Sequence, residues 1–173
     1  MRTNDGVKQR RTKTPEQALT ALMRLCARAE KSTGDARRLM RGWGVDEGAQ
    51  EEVLQKLIGQ RFIDDVRFAE AFVREKVNLS GWGAYKIRAA LARKGIDRAV
   101  AERALAEVDP AKSAERLHQQ LARKMRSVKA ATTYEMKNKL MRYGLSLGFD
   151  FEAVGDAVAE MIKNNDNEEC DIF

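Results

Sequence analysis

Gly44-Val45-Asp46, Gly95-Ile96-Asp97 and Gly148-Phe149-Asp150 are one pattern written three times, at intervals of 51 and 53 residues. In each copy the glycine suits the left-handed turn that ends a helix, and the aspartate suits the cap that opens the next. The apolar residue between them can dock inward. The residues beyond each aspartate agree as well: Val53, Leu54 and Leu57, then Ala104, Leu105 and Val108, then Ala157, Val158 and Met161 stand at the same offsets from it. Ala49, Val100 and Ala153 stand three residues after each Asp. These spacings lay one apolar face along a helix. Three copies in register describe an internal repeat of about 50 residues.

Helix starts are legible elsewhere. Thr14-Pro15-Glu16-Gln17 places a cap, a proline at the first helical position and a Gln three residues after the cap. Ser32 with Asp35, and Thr132 with Glu135, repeat the cap spacing, and Asp109-Pro110 repeats the cap-then-proline device. Leu19, Leu22, Cys26 and Ala29 recur at helical intervals, and Ala69, Phe72, Val73 and Val77 share a side. No segment alternates apolar and polar residues as a strand would. The expectation is an all-α protein of three tandem three-helix repeats, about nine helices, in an elongated, curved array. The boundaries fall at 14–62, 63–108 and 109–163. Residues 1–13 form a basic arm and 164–173 an acidic tail expected to fray.

The 173 residues carry 34% charged and 43% hydrophobic side chains, which excludes a fully disordered chain. The formal charge of +6 favours acidic partners such as nucleic acid. Cys26 and Cys170 match no metal or redox spacing; Cys26 falls among apolar positions and Cys170 in a polar tail. No apolar run is long enough to span a membrane, and the N-terminus has no secretory pattern, so a cytoplasmic protein is expected.

Phe62-Ile63-Asp64-Asp65-Val66-Arg67-Phe68-Ala69 resembles the segment bridging the first two repeats of the RecX family, bacterial regulators of the RecA recombinase. Gly81-Trp82-Gly83, followed by Lys86-Ile87-Arg88, Leu91 and Lys94-Gly95-Ile96-Asp97, resembles that family's second-repeat signature. Arg142-Tyr143 with Gly148-Phe149 is similar to the close of its third repeat. Gly144 departs from the family, which carries a large apolar residue there, and so do the glycine-rich Gly42-Trp43-Gly44 and the long basic arm. The resemblance implies a non-enzymatic, cofactor-free protein that binds RecA–DNA filaments. It would modulate, most often inhibit, their recombinase, ATPase and coprotease activities in DNA repair and the SOS response.

The residues themselves carry no sign of catalysis. Asp64 and Asp65 are adjacent on a helix, so their carboxylates diverge; both read as helix-start charges. His118 is the only histidine and has no nucleophile–base neighbours. Phosphate-loop, His-Glu-x-x-His and Cys-x-x-Cys patterns are absent. Trp82 reads as a plug in a helix joint, or as a loop aromatic that stacks on a base or anchors a partner; Trp43 has the same two readings.

Candidate partner-binding residues are the cations of the middle helices: Arg37, Arg38 and Arg41; Lys86, Arg88, Arg93 and Lys94; Lys137, Lys139 and Arg142. With Ile87 and Leu91 inward, Lys86 and Arg93 share a stripe. Asp46, Glu47, Glu51, Glu52, Asp64, Asp65 and Glu70 are expected on a different part of each repeat. The partners expected are the RecA filament and, through phosphates, DNA in a non-specific, salt-sensitive manner, with the protein a monomer. The alternatives are a helix-turn-helix-like DNA-binding protein and a helical-repeat adaptor for another protein.

Overall fold

The computed structural model describes residues 12–170, with side chains as far as Asn164; the expected basic arm lies outside them except for Thr12 and Lys13. Among the described residues there are nine α-helices and no strand. They are α1 (Pro15–Cys26), α2 (Thr33–Gly42), α3 (Glu47–Gly59), α4 (Asp65–Asn78), α5 (Ala84–Arg93), α6 (Arg98–Ala106), α7 (Pro110–Ser127), α8 (Thr133–Ser146) and α9 (Phe151–Cys170).

The tripeptide repeat does what its residues allow. Gly44, Gly95 and Gly148 hold φ of +68°, +74° and +89°, a region closed to most L-residues. Val45, Ile96 and Phe149 are buried beside them. Each aspartate then accepts from backbone N–H groups of the next helix: Asp46 from Gly48 and Ala49, Asp97 from Ala99, Asp150 from Ala153. Thr14 and Gln17 form the reciprocal capping box of α1, and Ser32, Asp109 and Thr132 cap α2, α7 and α8. Side-chain caps of this kind are worth about 1 kcal/mol each.

Two compact units emerge: one formed by residues up to Phe68 together with Arg93–Ile96, the other by Ala69–Ala92 together with Asp97 onward. In the first, Leu22, Met40, Leu54, Leu57 and Ile63 are almost wholly buried, with Cys26 half-buried at the edge. In the second, Leu117, Leu121, Leu140, Val154 and Val158 form the corresponding core of α7, α8 and α9. Each such side chain contributes about 2 kcal/mol through the surface it removes from water. Gly144 has a packing role here: a Cβ on it would lie 2.6 Å from Cγ1 of Val154, so its absence lets α8 and α9 close.

Helix starts also seat on the ends of other helices. In the first unit the Ser32 hydroxyl donates to the Lys94 carbonyl at 2.7 Å, and a Cβ on Gly34 would stand 2.1 Å from that oxygen. In the second unit Gly83 N donates to the Leu147 carbonyl at 2.8 Å and Tyr85 N to the Gly148 carbonyl at 3.0 Å. A Cβ on Gly83 would meet the Gly148 carbonyl oxygen at 2.3 Å.

The structure adds to three readings. Asp64 caps α4 through the N–H groups of Val66 and Arg67, and Asp65 is the acidic residue in the first turn of that helix. The Asp65 carboxylate also accepts from the backbone N (2.9 Å) and hydroxyl (2.6 Å) of Thr33, so it closes the start of α2 as well. Ala29 lies past the end of α1 and is exposed. Residues 164–170 of the expected acidic tail continue the helical backbone of α9.

Candidate functional site

The predicted cations sit on α2, α5 and α8 because those helices bury their other face: Ala36 and Met40, Ile87 and Leu91, and Leu140 with Gly144. The structure divides the ten by what they meet. Arg37 pairs with Glu51 at 2.8 Å, and Arg38 pairs with Asp35. Arg88 grips Glu102 with two bonds, Nε at 2.6 Å and Nη2 at 3.0 Å. Lys94 Nζ stands 3.1 Å from both oxygens of Asp35. Lys139 pairs with Glu135 and donates to the Lys129 carbonyl at 2.6 Å. The expectation that acids lie on a different part of each repeat is therefore corrected. Glu51 faces α2, and acids left out of that expectation, Asp35, Glu102 and Glu135, meet the middle-helix cations as well.

The pairing shows in the acid–base properties of these groups. The bond from Arg88 holds the Glu102 carboxyl below its usual range, and the same bond raises the Arg88 guanidinium. Glu135 is lowered first by Lys139 and then by the Ala131 N–H. Glu51 is lowered first by Gln55, with Arg37 adding to it. Arg37–Glu51 and Arg88–Glu102 stand at the same two places of the 51-residue repeat; the third repeat has Met141 and Gly155 there instead.

The remaining cations have no such counter-ion among the described residues. Arg41, Arg93, Lys137 and Arg142 are exposed and pair with no carboxylate among the described residues. Lys86 also lacks one, but it is a strut: Nζ donates to the Ser146 carbonyl at 3.2 Å and lies 4.7 Å from the centre of the Trp82 ring. Lys76 approaches the same ring at 5.3 Å, so half-buried Trp82 is bracketed by cations. That arrangement fits the joint-plugging reading.

Lys139 and Arg142 gain neighbours that the middle helices alone do not reveal. An open cleft of about 490 Å³ is lined by Lys124, Val128, Lys129, Lys139, Arg142 and Tyr143. Lys124 Nζ lies 5.2 Å from the Tyr143 ring, whose hydroxyl donates to Gln120 Oε1 at 3.1 Å. Lys124, Lys129 and Arg142 pair with no carboxylate among the described residues. Lys124 and Lys129 were missed because they belong to the end of α7 and the loop after it. A signal existed: the sequence holds no acidic residue between Glu115 and Glu135. A concave surface with several unmatched cations and an aromatic wall is suited to a phosphate-rich or carboxylate-rich partner.

Elsewhere the chemistry is thin. His118 Nε2 lies 3.7 Å from Glu160, and no group of His, Cys, Asp and Glu among the described residues has the arrangement of a metal site. No helix among the described residues is long and apolar enough to cross a membrane.

Comparison with known proteins gives this scaffold its place. The profile described as RecX, second three-helix domain, matches residues 64–105, and that of RecX, third three-helix domain, matches 112–158. The chain is 31% identical to the regulatory protein RecX of Prosthecochloris aestuarii, over 78% of this chain and 87% of that one. It is 32% identical to that of Geobacillus thermodenitrificans, over 95% of this chain and 58% of the other. A match of 31% to the Clostridium botulinum (strain Eklund 17B) protein covers 69% and 56% respectively. The chain thus spans little more than half the length of several of these relatives. Among solved structures, one described as the crystal structure of regulatory protein RecX superposes with a TM-score of 0.76 at 25% identity, covering 87% of this chain and 73% of that one. RecX from Lactobacillus salivarius shares the fold at a TM-score of 0.73 and 22% identity, over 86% and 96%. Glycine turns, aspartate caps, tandem three-helix profiles and likeness to named regulatory proteins agree: this chain belongs to the RecX family.

Proposed function

We propose that this protein is a non-enzymatic regulator that binds RecA–DNA filaments and lowers their recombinase, ATPase and coprotease activities in the cytoplasm. The observation that carries this reading is the cationic cleft of α7 and α8, where Lys124, Lys129 and Arg142 pair with no carboxylate among the described residues, on a chain whose relatives are named regulatory proteins. A filament of RecA on DNA offers phosphates and acidic side chains together, and cations that pair with no carboxylate among the described residues lose no ion pair seen there by turning to them. Arg41, Arg93, Lys137 and the cleft residues Lys124, Lys129 and Arg142 make these contacts. Arg37, Arg38, Arg88 and Lys94 hold the fold.

Binding alone does not inhibit; the protein must prefer the inactive or disassembling filament over the active one, because a ligand moves an equilibrium only by its differential affinity. The test is co-sedimentation with RecA assembled on single-stranded DNA, against unassembled RecA and bare DNA. Retention by assembled filaments above both controls supports the reading. Equal retention on bare DNA would favour a plain DNA-binding protein and overturn it.

A further inference from the structure

The turn that ends α2 is held in the same manner as the turns that end α5 and α8, here by the residues that lead into α1 rather than by the start of another middle helix. In all three turns, the carbonyl just before the left-handed glycine accepts a hydrogen bond from a distant part of the chain. The Leu147 carbonyl accepts from Gly83 N at 2.8 Å, where α5 begins. The Lys94 carbonyl accepts from Ser32 Oγ at 2.7 Å, where α2 begins. The Trp43 carbonyl accepts from Lys13 N at 3.0 Å, and Lys13 lies in the non-helical stretch ahead of α1. The glycines are covered to match. A Cβ on Gly148 would stand 2.3 Å from Lys86 Cβ, one on Gly95 3.0 Å from Gly34 Cα, and one on Gly44 2.8 Å from Thr12 Cγ2. Lys13 adds a contact of its own, with Nζ 5.0 Å from the centre of the Trp43 ring.

The occupant is the pair Thr12–Lys13. A helix start that seats on such a turn needs a residue without a Cβ, as Gly34 and Gly83 show. The start of α8 carries Thr133 and Tyr134 instead, with Tyr134 76% exposed, so a second copy of this chain has no α8 start that repeats the fit. We propose that Trp43–Gly44 is a peptide-docking seat whose resident ligand is Thr12–Lys13, the two residues ahead of the α1 cap, which take the place that the start of a middle helix fills on the other two turns. The ligand class is a short cationic peptide that gives one backbone N–H to the Trp43 carbonyl and an ammonium to the indole face.

The test uses a chain lacking residues 1–13, carrying Trp82→Phe so that Trp43 is the sole indole. Deletion is expected to shift Trp43 emission to the red and raise its quenching by acrylamide. A synthetic peptide of residues 1–13 with an amidated C-terminus should reverse both, saturably. The same peptide with Lys13→Pro, which has no N–H to give, and a scrambled peptide of equal charge should not. An unchanged Trp43 on deletion, or equal rescue by the scrambled peptide, overturns the proposal. If the deleted chain does not fold, Lys13→Pro in the undeleted Trp82→Phe protein decides: a red shift with helicity retained is expected, and an identical emission spectrum refutes the seat.

Discussion

Lys94 and Asp35 are locked together: the ammonium nitrogen stands 3.1 Å from each oxygen of a carboxylate whose side chain is only 6% exposed. Lys94 also supplies the carbonyl on which Ser32 seats. A residue whose charge and backbone are both engaged inside the fold is a poor contact for a partner. Lys94→Met should lower stability by about 1–2 kcal/mol, less than for a wholly buried pair because Lys94 is partly solvated and Arg38 still faces Asp35. Urea unfolding measures the loss, and the proposed action on RecA filaments should persist in the folded protein.

Arg88 and Glu102 give the pH dependence a sign. The Glu102 carboxyl is lowered from 4.5, chiefly by its bond from Arg88, so folding favours the ionised form. Its contribution is complete above the unfolded value and disappears as pH falls through the lowered one. Melting temperature should therefore begin to fall only below the ordinary carboxylate value of 4.5. Glu102→Gln should melt lower near neutrality and lose less on acidification, when followed by circular dichroism across that window.

Gly83→Ala should be the more damaging of two glycine substitutions. Its Cβ would meet the backbone oxygen of Gly148 at 2.3 Å, and a main-chain carbonyl cannot swing aside. The expected cost is about 3 kcal/mol, the upper part of the range for overpacking. Gly144→Ala presses instead on Val154 methyl groups, which can give, and should cost about 1 kcal/mol. Thermal or urea denaturation of the two variants ranks them; equal losses would contradict the geometry.

Asp64 and Asp65 separate a local cap from a long-range one. Asp64→Ala removes an ordinary helix cap and should cost about 1 kcal/mol. Asp65→Ala leaves the Thr33 N–H and hydroxyl without their acceptor, and should cost about 1–2 kcal/mol. Amide exchange distinguishes them: Asp64→Ala should loosen the first turn of α4, and Asp65→Ala the first turn of α2.

Legibility in the sequence followed the range of the interactions. Caps, glycine turns and apolar faces act over a few residues, so Asp46, Asp97 and Asp150 could be placed without coordinates. Asp65 could not, because its partner Thr33 lies 32 residues away. The pairing of Arg37 with Glu51 and of Arg88 with Glu102 spans 14 residues, beyond helical periodicity. Its recurrence in two repeats was nonetheless written in the same 51-residue spacing that revealed the glycines. The cleft went unseen for a related reason: Lys124 and Lys129 reach Arg142 only when α7 folds beside α8.

The most direct measurement is the DNA-dependent ATPase of RecA titrated with this protein, intact and with Lys124→Glu, Lys129→Glu and Arg142→Glu combined. The intact protein should depress the rate to a plateau. The triple variant, which removes no cation that pairs with a carboxylate among the described residues, should keep its helicity and lose most of the effect. An unchanged rate at saturating intact protein, or full inhibition by the triple variant, would contradict the account.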